Sequence, residues 1–264
     1  MSGATLVGVG MGPGDPELVT VKAVRVLREA DLVLVPVTDT GEQGRAEATV
    51  RAHVDHERIN RVAFALDGAA GRTRRENAWD AAADAVIAAF GAGAGTVAFA
   101  TIGDPNVYST FTYLAATVAE RFPGLVERPG GEPQAGPAAA ERLAGLTVLT
   151  VPGITAMQDL AARIGTVLCE GTETLALLPL TAGIDRFSEA LARFDTVVGY
   201  KSGRHLPEVL TAVREAGRLE GAVHGASLGL AGEDIRPAAD VAGPAPYLST
   251  LLIPGKRSER GGKL

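Results

Sequence analysis

The segment from 101 to 110, TIGDPNVYST, combines a flexible turn with a carboxylate directly after a strand-like run. Asp104 could accept hydrogen bonds from the ammonium or ribose hydroxyls of a zwitterionic nucleoside ligand, while Ser109 and Thr110 could hold its carboxylate. The alternative is structural, with Asp104 closing a Gly-Asp-Pro turn and the hydroxyls capping a helix. The segment by itself leaves both interpretations open.

A second segment suited to close approach of a ligand is the glycine-rich run VGVGMGPGDP at 7–16. Its spacing departs from the dinucleotide-binding pattern G-x-G-x-x-G, because the third glycine position falls on Pro13 or Asp15. A Walker A sequence is also missing from the chain. What remains is a bare backbone at a strand end, which permits a nearby ligand or is only a tight turn.

A third loop, VPGITA at 151–156, follows another apolar run. The carboxyl ends of parallel strands meet at one edge of a wound sheet, and such sheets bind ligands at that edge. Turns with only a structural role need not all lie at the same edge of the sheet. The three loops together therefore favour a ligand site more strongly than any one of them does.

The elements that must position these loops are short apolar runs alternating with helical patterns, which predicts an α/β fold with a mainly parallel first sheet. The pattern of strands and helices changes in the second half, which predicts two α/β domains, at 1–158 and 159–264. Strands are predicted at Thr5–Val9, Leu32–Val35, Arg61–Ala65, Thr96–Ala100, Thr147–Val151, Leu175–Leu178, Thr196–Tyr200, Ala222–Ala226 and Tyr247–Ile253.

The first helix is expected to start at Pro16 with Asp15 as its N-cap, and to bury a stripe that includes Val21. A later helix carries Trp79, whose helical spacing with further apolar residues assigns it to the core rather than to a cofactor. Two more helices are predicted at Arg186–Arg193 and Pro207–Ala216. The Pro-, Gly- and Ala-rich segment 128–145 is interpreted as a surface insertion without a role in the fold.

Composition excludes several classes of protein. The chain has 264 residues with 46% hydrophobic content, enough to bury a core, and its net charge of -6 disfavours a nucleic-acid partner. A single cysteine, Cys169, rules out an intrachain disulfide, predicts a cytoplasmic setting and is expected to be buried. Neither a signal peptide, a membrane span nor a set of residues with metal-ligand spacing is recognisable, so export, membrane insertion and a metal are not expected.

The three loops in this order resemble those of the tetrapyrrole methylase family, and the likeness extends over nearly the whole chain. The second half contributes YKSGR at 200–204, GEDI at 232–235 and YLSTLL at 247–252. The extension Tyr108-Ser109-Thr110 points to the branch of the family that methylates carbon 20 of the macrocycle. The resemblance implies two α/β domains with the active-site cleft between them, a homodimer, and S-adenosyl-L-methionine as cofactor.

Carried over position by position, the resemblance implies a set of cofactor contacts in the three loops and at two positions of the second half. They are Pro13, Ile102, Gly103, Asp104, Val107, Tyr108, Ser109, Thr110, Thr155, Ala156, Lys201 and Leu228. Lys201 stands where many relatives have methionine. Pro36 stands where some relatives have an aspartate proposed to accept a proton, so no catalytic acid or base transfers to this chain.

The implied substrate is a tetrapyrrole, precorrin-2, whose many acetate and propionate groups call for guanidinium and ammonium partners. Candidates for this role are Arg45, Arg51, Arg72, Arg74, Arg75, Lys201 and Arg204. The alternatives are the cobalt-containing counterpart of that substrate, another ring position, methylation of a protein residue or ribosomal RNA, and a nucleotide-sensing module on the same scaffold.

Overall fold

The computed structural model describes residues 3–38, 43–54, 56–64, 72–121, 141–143, 145–246 and 248–257. The chain folds into two compact units, Met1–Ile154 and Thr155–Leu264. This division falls at 154/155, where the sequence predicted 158/159. Within the described ranges, none of the helices combines the length and the apolar character that crossing a membrane requires.

The first unit is built on one sheet whose order is β3-β2-β4-β1-β6-β5. Its strands are β1 Ala4–Gly10, β2 Leu32–Val37, β3 Ile59–Ala63, β4 Thr96–Thr101, β5 Glu141–Leu143 and β6 Leu146–Val151. All neighbouring pairs are parallel except β5 with β6. The prediction of a mainly parallel first sheet is confirmed. The prediction that 128–145 has no role in the fold is wrong at its end, because β5 pairs with β6; residues 122–140 lie outside the described part.

In the described part of the first unit, the two faces of this sheet are covered by α1 Val21–Glu29, α2 Arg45–Arg51, α3 Arg72–Gly91 and α4 Phe111–Arg121. Leu6 packs towards α3 and α4, whereas Val7 packs with residues of α1 and α2. Trp79 belongs to the first of these cores and stacks on Tyr113 of α4 with ring centroids 4.6 Å apart, which confirms its assignment to packing. The apolar strands are thus buried on both faces, as parallel strands usually are.

The first helix begins later than predicted. Asp15 caps a short 3-10 turn at Pro16–Leu18, and the α-helix starts at Val21 with the Thr20 hydroxyl accepting from the amide of Ala23. Val21 is consequently 87% exposed and does not belong to a buried stripe.

The second unit has a mixed sheet of order β10-β9-β11-β8-β7, in which only β7 and β8 are parallel neighbours. Its elements are α5 Ala156–Arg163, β7 Leu175–Pro179, α6 Ile184–Arg193, β8 Thr196–Tyr200, α7 Leu206–Glu215, β9 Val223–Ala226, β10 Asp234–Pro237 and β11 Ser249–Ile253. β8 and β9 flank β11 and point the same way, so their carboxyl ends share one edge. The prediction of an α/β fold in both halves is confirmed, whereas β10 was not predicted. Cys169 is exposed, contrary to expectation.

Candidate functional site

The three loops singled out by the sequence follow three adjacent strands. β1 lies between β4 and β6, with Gly10 paired to Thr101 on one side and Val9 paired to Val151 on the other. Because all three strands are parallel, the loops that follow them leave the sheet at its carboxyl edge. The predicted convergence of these loops is what the strand order shows.

Backbone hydrogen bonds join these loops directly. The amide of Met11 donates to Thr101 O at 2.9 Å, and the amide of Gly103 donates to Gly12 O at 2.7 Å. A side chain could not fit at the centre of this junction, since a Cβ on Gly10 would lie 2.5 Å from the nitrogen of Gly153. The glycines at this edge therefore serve a specific purpose, which is to let the backbones of neighbouring loops touch.

The carboxylate of Asp104 links two of the loops. Oδ1 accepts from the amide of Asn106 at 2.7 Å, and Oδ2 accepts from the amide of Gly153 at 2.9 Å. The side chain is buried, with 8% exposure. The first bond is the turn-closing role that the sequence left open, and the second ties the loop after β4 to the loop after β6. Asp104 therefore has a structural role in this junction.

The hydroxyls at the start of α4 differ from each other. Ser109 Oγ accepts from the amide of Phe111 at 3.2 Å and donates to Thr101 Oγ1 at 3.3 Å, so it satisfies the first backbone amide of the helix. The backbone oxygen of Thr110 accepts the amide of Leu114 at 3.2 Å, whereas its hydroxyl has no hydrogen-bond partner among the described residues. Of the two, Thr110 has the hydroxyl available to a ligand.

Left-handed backbone marks the same segments. Among the described residues other than glycine, positive φ occurs at Tyr108 (51°), Lys201 (61°) and Ser227 (51°). Each follows a strand or its loop, and each is itself a predicted cofactor contact or the neighbour of one. Residues other than glycine rarely adopt this backbone conformation, because it costs free energy. Those that do are concentrated at functional sites. Burial also raises the pKa of the Tyr108 phenol, since it disfavours the phenolate.

The predicted contacts of the second unit gather at one edge of its sheet. Thr250 of β11 pairs with Tyr200 on one side and Gly225 on the other, so Lys201 and Leu228 follow strands that end at the same level. Leu228 is buried in a cluster that also contains Leu160 of α5.

The start of α5 lies at this same edge. Thr155 is its N-cap, and the backbone amide of Thr155 donates to Gln158 Oε1 at 2.9 Å. The amide of Met157 donates to the hydroxyl of Tyr200 at 2.9 Å. Tyr200 begins the motif YKSGR, but the motif assigns this residue no function. Its hydrogen-bond partner is distant along the chain.

The predicted contacts thus fall into two groups by unit. The first unit holds Pro13, Ile102, Gly103, Asp104, Val107, Tyr108, Ser109 and Thr110, and the second holds Thr155, Ala156, Lys201 and Leu228. Pro13, Asp104, Thr155 and Leu228 are buried, and the others are half-buried or exposed. The structure brings the members of the first group together at one sheet edge.

The arginines proposed to bind the substrate's carboxylates differ in what the structure shows of their partners. Arg51 pairs with the buried carboxylate of Glu47, which also accepts from Arg61 Nε at 2.8 Å. These arginine bonds outweigh its burial and lower the Glu47 pKa. Arg51 therefore has a structural partner, while the side chains of Arg72, Arg74, Arg75 and Arg204 lie outside the described part.

Comparisons with known proteins show which proteins this chain resembles. The chain matches the family described as Tetrapyrrole (Corrin/Porphyrin) Methylases over residues 5–126 and 135–241. It is 33% identical over 260 residues to a precorrin-2 C(20)-methyltransferase of Sinorhizobium sp, covering 95% of each chain. It is 28% identical to the cobalt-precorrin-2 C(20)-methyltransferase of Salmonella typhimurium, covering 94% of this chain and 95% of that protein.

A solved structure shows the same fold. The uroporphyrin-III C-methyltransferase from Thermus thermophilus, complexed with S-adenosylhomocysteine, superposes with a TM-score of 0.59 at 18% identity. The match covers 94% of this chain and 97% of that one. The fold is therefore shared, and the family match over most of its length together with the 33% identical relative shows that the chain belongs to the tetrapyrrole methylase family.

Proposed function

We propose that this protein transfers a methyl group from S-adenosyl-L-methionine to carbon 20 of precorrin-2, giving precorrin-3A in corrin biosynthesis. Identity of 33% to a relative of that name, along 95% of both chains, supports the reaction. The observation that carries the proposal is the junction of three loops at the carboxyl edge of the first sheet, where left-handed backbone and an available hydroxyl adjoin bare glycine.

The residues present fit the cofactor. Gly103 has φ of 69°, and a Cβ placed there would meet nothing within 4 Å, so the backbone of this loop borders open space. A ligand can therefore approach its peptide groups closely. The half-buried hydroxyl of Thr110 at the start of α4 is placed to donate to a carboxylate, which a helix N-terminus also favours.

The proposed contacts are divided by their chemistry. Peptide groups of Ile102 and Gly103 would bind polar atoms of the cofactor, with Pro13 and Val107 supplying apolar contact. In the second unit, Thr155, Ala156 and Leu228 would contact the cofactor, and Lys201 would face a carboxylate. Tyr108, Ser109 and Asp104 would shape the loop around the cofactor, and Thr110 would donate to its carboxylate.

The cofactor supplies an electrophilic methyl group on a sulfonium. The electron-rich ring carbon of the substrate can attack it directly, so the chain needs no nucleophile of its own. Its loops act by holding the reacting carbon in line with the methyl group, and positioning of this kind can lower a barrier by roughly 7–11 kcal/mol. Excluding water also helps, because charge is neutralised as the reaction proceeds.

The direct test uses S-adenosylmethionine carrying a ¹³C methyl group together with precorrin-2, followed by NMR of the product. We expect a single labelled methyl at carbon 20. Label at another carbon would contradict the proposed position, and no label would contradict the activity. Parallel reactions with the cobalt-containing substrate decide between the two relatives' reactions, since the preferred form has the higher kcat/KM.

The homodimer that the resemblance implies and the cytoplasmic setting that the single cysteine predicts are further proposals. Light scattering of the purified protein checks the first, with a mass of twice 27.1 kDa expected. A mass of one chain would contradict it. Fractionation of cells checks the second.

A further inference from the structure

One hydrogen bond joins two segments that we assign to cofactor binding. Tyr200 ends β8 and directly precedes Lys201, while Met157 directly follows Ala156. The hydroxyl of Tyr200 accepts from the amide of Met157 at 2.9 Å, although the two residues lie 43 positions apart. The bond therefore fixes the start of α5 against the end of β8.

Met157 lies in the first turn of α5, where a backbone amide needs a hydrogen-bond partner from outside the helix ladder. The first amides of a helix have no carbonyl one turn earlier to bond to. Thr155 and Gln158 form a capping box at the start of α5, and that box leaves the Met157 amide to Tyr200. Removing the Tyr200 hydroxyl would leave this amide without its partner and loosen the first turn.

The ring of Tyr200 has a separate role. It packs at the margin of the core that contains Leu160 and Leu252. A phenylalanine in its place keeps that packing and lacks only the hydroxyl. The two contributions can therefore be separated by one substitution.

We propose that Tyr200 is a positioning residue for the cofactor, acting through the first turn of α5 to set the distance between Thr155–Ala156 and Lys201. The proposal rests on the proposed function, because it requires that these segments contact S-adenosylmethionine. It assigns Tyr200 no part in the chemical step.

The test compares Tyr200→Phe with Tyr113→Phe, which deletes the same hydroxyl from a ring that is 54% exposed on α4. In Tyr200→Phe, we expect the KM for S-adenosylmethionine and the Kd for S-adenosylhomocysteine to rise about three- to tenfold, the size of one lost hydrogen bond. The KM for precorrin-2 should stay unchanged. Tyr113→Phe should match the wild type in all three.

The outcomes separate the two proposals. If wild-type protein does not bind S-adenosylhomocysteine in calorimetry, the proposed function and this inference both fall. If the wild type binds and Tyr200→Phe binds equally well, only the inference falls. A lower melting temperature with unchanged KM and Kd would likewise show that Tyr200 only stabilises the fold.

Hydrogen exchange provides a measurement that needs no variant. In the wild type, saturating S-adenosylhomocysteine should slow exchange of the Met157 amide by about tenfold or more, because a ligand that binds only the closed first turn suppresses its opening. An unchanged exchange rate at this amide, with ligand bound, would overturn the inference even if Tyr200→Phe did not fold.

Discussion

At the residue scale, the carboxylate of Asp104 holds two of the loops together. It accepts from two backbone amides in different loops, at 2.7 and 2.9 Å. Each carboxylate oxygen can accept more than one hydrogen bond, so these partners leave capacity for a ligand. The loops that we assign to the cofactor depend on this side chain, whether or not it also contacts the ligand.

Replacing Asp104 by alanine should therefore lower stability and affinity together. The two amides lose their acceptor, which costs roughly 1–3 kcal/mol in the free energy of unfolding, and the Kd for S-adenosylhomocysteine should rise. Thermal unfolding and calorimetry measure these two effects.

The chain offers a matched control at the other end of β4. Asp31 Oδ2 accepts from the amides of Gly95 and Thr96 at 2.8 and 2.9 Å. Asp31→Ala should lower stability while leaving the Kd unchanged. An unchanged Kd in Asp104→Ala would contradict its place in the cofactor site.

The neighbouring hydroxyls give a second prediction at this scale. Ser109→Ala removes the acceptor of the Phe111 amide and should lower the free energy of unfolding by about 0.5–1.5 kcal/mol. Thr110→Val removes a hydroxyl without a described partner, so it should leave stability near the wild-type value and weaken S-adenosylmethionine binding. Urea denaturation and calorimetry of both variants check this contrast; equal affinity of Thr110→Val and wild type would refute the assignment of Thr110.

At the scale of elements, the first sheet is joined to its loops through close contacts between backbones. A Cβ added to Gly153 would collide with the carbonyl oxygen of Gly103 and would lie 2.8 Å from the Cα of Gly10. No flexible side chain can move aside there. The spacing of the loops after β1, β4 and β6 thus depends on glycine at this position.

Gly153→Ala should force the loops apart, with a loss of about 1–3 kcal/mol typical of overpacking. Gly91→Ala is the matched control, because Gly91 ends α3 and its Cβ would meet nothing within 4 Å. That substitution should leave stability unchanged or raise it by up to about 1 kcal/mol. Urea denaturation compares the two, and a Gly153→Ala protein as stable as Gly91→Ala would show that the loops can separate freely.

At the scale of the whole molecule, a buried histidine links stability to pH. His224 lies on β9 opposite Leu251 of β11 and Arg236 of β10, with 2% exposure. Neither ring nitrogen has a hydrogen-bond partner in the described structure. Burial lowers the pKa of His224, Asp234 raises it and Arg236 lowers it, with a net decrease from the ordinary value of 6.5.

The sign of the effect follows from the lowered pKa. Between that value and 6.5, the unfolded chain binds a proton that the folded protein excludes. Stability from this group is therefore complete above 6.5 and is lost as the pH falls towards the folded-state pKa, by at most about 1.4 kcal/mol per pH unit.

His224→Leu should remove this part of the pH dependence. Urea denaturation at a series of pH values on both sides of 6.5 measures it, and the difference between wild type and variant should be constant above that pH. A variant with the wild-type slope below 6.5 would mean that other groups carry the dependence.

The sequence by itself determined the positions of most strands, although not their ends. The apolar runs that became β1, β2, β4, β6 and β8 were recognisable because strands buried on both faces carry continuous apolar side chains. The loops after these strands were recognisable because glycine and proline interrupt the apolar runs. Family-specific motifs then gave the type of reaction.

Local patterns misplaced those features that depend on neighbours. Asp15-Pro16 is a good helix start by composition, yet it caps only a 3-10 turn, because Thr20 makes the cap of α1. β5 and β10 are short edge strands with little apolar signal, and pairing with β6 and β9 alone makes them strands.

The partners of each site residue were decided only by the tertiary structure. Asp104 meets Gly153, and Tyr200 meets Met157, across 49 and 43 positions of sequence. No propensity or spacing rule encodes such pairs, since they arise when strand order brings separate loops to one edge. The sequence identified the candidates, and the order of the strands determined which of them hold the others in place.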